Sequence, residues 1–151
     1  MVTVRLLGLP VGLHLRSSEH AQELEREFAL ITEQVRRDGA GTLPPRLLEV
    51  VGHLRGRYST FGQAQEAALD AAVAAGQDQV DLDFEVPAHA GMGAVTLGSV
   101  LAEADRYCQE GRHLLTLAMP ADLLTYRHWY LQQFIDQTAG LPAQPWTGPL
   151  H

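Results

Sequence analysis

The residue types that could do chemistry are few, and they are spread thinly along the chain. Asp81, Asp83 and Glu85 alternate with Val80, Leu82, Phe84 and Val86, so all three carboxylates share one face of a strand. Such a row could hold a hard cation or set up an acid/base pair, but a half-solvated strand shows the same spacing, and that reading is preferred. The seven histidines, His14, His20, His53, His89, His113, His128 and His151, form neither an H-x-H nor a pair at i, i+4 around a glutamate. Cys108 stands alone on a helical stripe with Leu101 and Ala104, the position of a small buried hydrophobe. A G-x-S-x-G nucleophile elbow is absent, and Gly91-x-Gly93 meets its next glycine only at Gly98, two positions late for a dinucleotide loop. No catalytic residue, metal ligand set or cofactor is assigned, and the reading leans against an enzyme.

The richest stretch is His113 to Gln137. At about 100° per residue, Leu124, His128, Leu131 and Ile135 form one helical ridge and Leu123, Arg127, Tyr130 and Phe134 its neighbour. Arg127 and His128 therefore fall on an apolar arc, where a guanidinium needs a partner; the acidic strand, Glu103 and Asp105 are the candidates. Arg127 snorkelling to the rim with His128 on a backbone carbonyl is set against a ligand-binding role for Arg127, His128 and Tyr130. Trp129 projects to the other side, to pack under the Pro-rich tail or to mark a partner surface.

The elements that would position these groups follow from hydrophobic period. Val2, Val4 and Leu6, then Leu13 and Leu15, alternate about a Gly- and Pro-containing break, predicting strand over 2–15. Ser17 or Ser18 is the expected cap of a helix over 18–37, with Leu24, Phe28, Ile31 and Val35 as its stripe and glycines at its end. Pro44 and Pro45 open a helix over 45–58, striped by Leu47, Val51, Leu54 and Tyr58, in which Gly52 and Gly56 suggest close helix packing. Thr60 and Gln63 match a capping box for a helix over 61–75, carrying Ala64, Ala68, Ala72 and Val73. Strand 79–86 ends at Pro87, and His89 to Gly93 reads as a loop before a helix over 95–110. Residues 114–117 are too short to assign and leave a third strand open; a last helix covers 120–138. The expected fold class is α+β, with residues 1–140 as a single domain and 141–151 as an extended tail anchored by Trp146.

Composition narrows the partners. A net charge of −7 gives no electrostatic reason to approach nucleic acid or anionic lipid. No apolar run reaches the ~20 residues of a membrane span, and the N-terminus has no basic leader, so neither a transmembrane segment nor a signal peptide is expected. One cysteine suits a reducing, cytoplasmic setting. The chain has no Lys, which removes Schiff-base and P-loop lysine chemistry.

Taken with Tyr107-Cys108, Glu110-Gly111, Leu114 to Ala118, Pro120 and Arg127 to Leu131, the segments Pro10-Val11, Glu19-His20, Glu25 to Ala29, Arg57-Tyr58, Phe61-Gly62 and Gln65 to Ala67 resemble an uncharacterised family of small actinobacterial proteins. The resemblance covers most of the chain. It implies a place beside the anti-sigma-factor kinases and antagonists of partner-switching modules, and it supplies no catalytic residues. Having no Asn, the chain lacks the ATP-binding box of the kinase component. The leading expectation is thus a non-enzymatic regulator or adaptor that binds another protein, with a homodimer left open. The alternatives are a small-molecule sensor with an anion-binding pocket beside the last helix, and a metal-dependent enzyme using the acidic strand.

Overall fold

The computed structural model describes residues 1–41, 43–54 and 61–151. Among them, the chain runs β1 (Val2–Pro10), α1 (Val11–Asp38), α2 (Pro45–Leu54), α3 (Gln63–Ala74), β2 (Gln79–Val86), α4 (Ala90–Glu110) and α5 (Ala121–Thr138), an α+β arrangement. The two strands pair antiparallel from Val2 opposite Val86 to Pro10 opposite Gln79, with an irregularity between Leu6 and Leu9. Gly8 lies in that irregularity at φ 66°, a left-handed conformation that glycine adopts without steric cost.

Alternation gives the sheet one apolar face: Val4, Leu6, Leu9, Leu82 and Phe84 are buried, and α5 lies against them through Leu123, Tyr126 and Phe134. A second cluster joins α1, α2 and α4 through Phe28, Leu47, Val50, Leu54, Leu101 and Ala104. Pairing leaves each strand with an outer edge, and side-chain amides occupy both. Gln137 accepts from Arg5 N–H and donates to the Arg5 carbonyl, each at 2.8 Å, while Gln65 Nε2 donates to the Asp83 carbonyl at 2.6 Å.

Several boundaries depart from the sequence expectation. Strand 2–15 stops at Pro10, where the Val11 N–H turns to the Asp78 carbonyl at 2.9 Å, and helix begins at once. Leu13 is 1% exposed and Leu15 40%, which a helix allows and a strand placing both on one face does not. Ser17 and Ser18 accordingly lie inside α1 rather than capping it. Helix 45–58 is seen over Pro45–Leu54; Gly56, Tyr58 and Thr60 lie outside the described residues. Among the described residues no neighbour approaches Gly52, so the close packing expected there is not seen. In α3 the buried residues are Leu69 and Ala72, while Val73 is exposed; Gln65 Oε1 accepts from the Gly62 N–H at 3.0 Å at the helix start.

Helix α4 starts at Ala90, five residues before the expected 95, and Gly91 explains why. A Cβ there would come within 2.4 Å of Thr138 Oγ1 and 3.4 Å of Ile135 Cα, so glycine lets the first turn of α4 lie directly on α5. Residues 114–117 form no strand. The Glu27 carboxylate instead accepts from Leu115 N–H, Thr116 N–H and Thr116 Oγ1, a set of partners that substitutes for a ladder. No helix among the described residues is long and apolar enough to cross a membrane.

Residues 141–151 have no helix or strand and fold back onto the domain. Trp146 is buried, its N–H donates to the Leu7 carbonyl at 3.0 Å, and its indole N–H donates to the Pro149 carbonyl at 3.0 Å.

Candidate functional site

Helix α5 presents two polar groups in succession toward the interior. Arg127 Nη2 donates to Asp105 Oδ2 at 2.6 Å, with the two side chains 16% and 11% exposed, and Nη1 approaches Met119 Sδ at 3.9 Å. Of the acidic partners proposed from sequence, Asp105 is the one used; Glu103 pairs with Arg46. Tyr126, one position earlier, turns to α1, where its hydroxyl lies 2.8 Å from His14 Nδ1. His14 stacks on Phe61 with centroids 4.7 Å apart, and Ser18 Oγ lies 3.4 Å from its Nε2, one turn along α1. This cluster exists because α1 begins at Val11: helical spacing puts His14 and Ser18 on one face.

Burial lowers the His14 pKa from 6.5 to about 4. Burial, and to a lesser degree the nearby Tyr130, raises the Tyr126 pKa well above the usual phenol value. Both groups are therefore neutral at physiological pH, and neither is poised as a base.

Between α1, α4 and α5 lies a cleft of about 610 Å³, reached also by Phe61 and Glu66 and by Val86 at the end of β2. Leu24, Leu97, Leu101, Leu131 and Phe134 supply much of its wall, and Arg127, Asp105, Tyr126, Tyr130 and His14 its polar points. Its size and its apolar wall with a few converging polar groups suit a small organic ligand.

The structure divides the residues singled out from sequence. Arg127 and Tyr130 line the cleft. His128 does not: it is exposed, which corrects its placement on the inner arc, since the buried stripe runs through Leu123, Tyr126 and Phe134. Trp129 packs under the tail, its indole N–H donating to the Gln144 carbonyl at 2.8 Å and its ring 5.5 Å from that of Trp146. The acidic row lies away from the cleft on the outer strand face, each carboxylate engaged across the sheet. Asp81 accepts from the Gly8 N–H at 2.7 Å, Asp83 faces Arg5 at 3.7 Å, and Glu85 accepts from Thr3 Oγ1. Among the described residues no group of three or more His, Cys, Asp or Glu side chains could hold a metal ion. Cys108 is buried; desolvation, with smaller contributions from Asp105 and Glu27, pushes its thiol up to about 11 and keeps it protonated.

Sequence reasoning missed His14 and Tyr126. The Leu123, Tyr126, Tyr130, Phe134 spacing of three, four and four was the available signal for Tyr126. Nothing local marked His14, because its role depends on where α1 begins. Comparison with family models, with curated proteins and with solved structures finds no match for this chain.

Proposed function

We propose that this protein binds a small amphipathic molecule in the cleft between α1, α4 and α5, as a sensor or carrier. The observation that carries this reading is a largely buried Arg127 on the wall of an apolar cleft of about 610 Å³. Tyr126, Arg127 and Tyr130 are the polar contacts on α5, with His14 facing Tyr126 from α1; His128 and Trp129 have no part in it. The test is thermal unfolding across a panel of small amphipathic compounds, beside the variant Leu97→Trp, whose indole would occupy the cleft. A compound that raises Tm in the native protein and leaves L97W unmoved supports the reading. A panel that shifts neither protein, with no small molecule released on denaturing the purified protein, overturns it.

A second reading, a cytoplasmic regulator or adaptor that binds another protein, is supported by the leucines of the α4–α5 connection. Leu115 and Leu117 are 84% and 80% exposed, although Glu27 holds the backbone between them in place. A sigma-factor control circuit would supply the partner, and a second copy of the chain is the simplest alternative. Affinity capture with the native protein and with Leu115→Ser/Leu117→Ser tests it: a partner retained equally by both removes the support that these leucines give.

A further inference from the structure

Resting on the cleft reading, we infer that the occupant is an uncharged amphipathic molecule whose hydrogen-bond acceptor is held by the N–H groups of Arg127 that Asp105 leaves unused. A guanidinium has five N–H donors, and among the described residues those of Arg127 meet one carboxylate oxygen and one thioether sulfur. Donor capacity therefore remains on a side chain that lines the cleft. Net charge does not. The Arg127 cation is cancelled by Asp105 at 2.6 Å, so an anion on the spare donors would bury its charge beside that carboxylate with no net cation to offset it, and an incoming cation would have to take the carboxylate from Arg127.

The other titratable groups around the cleft agree. His14 and Tyr126 face each other as neutral partners, and burial keeps the imidazole uncharged down to about pH 4. His20 donates to the Leu117 carbonyl at 2.8 Å. Glu25 is engaged in a contact of its own, and Glu66 is exposed at the rim, where water screens it. Both carboxylates count against an anion. Glu66 offers a cation no dry counter-charge, and Glu25 is already engaged. A ligand with a neutral acceptor meets an apolar wall and spare donors, with no charge to bury.

Three probes with one apolar chain and different heads decide it: octanamide, octanoate and octylammonium, titrated at pH 7.5 by calorimetry into the native protein, L97W and Asp105→Asn. Octanamide should bind the native protein at least about tenfold more tightly than either charged probe, and L97W should lose it. In D105N the uncompensated Arg127 should reverse the order, so that octanoate overtakes octanamide. Octanoate or octylammonium equal to or tighter than octanamide on the native protein overturns the inference while leaving the cleft reading intact. Octanamide retained by L97W, or no probe bound, overturns the cleft reading and the inference with it. The native ranking stands as a test even if D105N fails to fold.

Discussion

Arg127 and Asp105 are the residues whose removal should be most one-sided. Each is the other's only charge partner among the described residues, and both are largely out of water. Arg127→Met should therefore destabilise the fold by about 3–5 kcal/mol, because it strands a carboxylate, whereas Arg127→Met/Asp105→Leu should recover most of that loss. Urea unfolding of the two variants measures the difference, and equal losses would refute it. His14 gives a pH signature. Its folded-state pKa of about 4 lies below the free value of 6.5, so the unfolded chain takes up a proton that the folded chain refuses. The contribution is complete above the free value and is lost as pH falls through the window between the two, at up to about 1.4 kcal/mol per pH unit. His14→Phe should flatten that limb of the stability profile. The paired Asp122 and Glu103, whose pKa values are lowered first by hydrogen bonds to Arg16 and Arg46, act at lower pH and would remain. Cys108 should resist alkylation at neutral pH until the protein unfolds, which intact-mass measurement across a denaturant series reads directly.

At the scale of elements, the contact of α4 with α5 turns on Gly91. Gly91→Ala gains about 1 kcal/mol of helix propensity, but its methyl meets Thr138 Oγ1, and overpacking of this kind costs about 1–3 kcal/mol. The expected net effect is a lower Tm, restored by adding Thr138→Ala; a Tm that rises in the single variant would show that the helices separate at no cost. The same glycine shows what period alone can and cannot say. The alternation of Gln79–Val86 and the stripe of α1 were legible because one face of each meets apolar neighbours along its length. Glycines 91 and 93 looked like helix breakers because propensity is local, whereas the surface of α5 that fits against Gly91 comes from Phe134, Ile135 and Thr138, far along the chain. Residues 11–15 failed differently. Val11, Leu13 and Leu15 alternate as a strand would, yet they lie in a helix that buries Val11 and Leu13 in different clusters and leaves Leu15 exposed, the helix's first N–H being bonded to the Asp78 carbonyl. The cleft inherited both errors, since His14 follows the start of α1 and Ala94 the start of α4. Arg127 and Tyr130 were visible within one helix; their surroundings were not.

For the whole molecule, the C-terminal segment belongs to the core. Trp146 packs edge-on to both Tyr126 and Trp129, with centroids 6.0 and 5.5 Å away. Trp146→Ala should cost about 3–5 kcal/mol, and removal of residues 141–151 should leave Trp129 emitting at longer wavelength in a protein that binds hydrophobic dyes. A truncated chain with native Tm would refute the assignment. The clamp on Arg5 by Gln137 spans 132 residues, and the Trp146 bond to Leu7 joins segments at least as remote. Contacts this distant in sequence are slow to form. On the ribosome, β1 is made before its strand partner, its edge clamp and its tryptophan cover, which arrive one after another. An apolar strand is thus left waiting until the residues that cover it have been made, and the yield of folded protein should depend on how well that wait is protected.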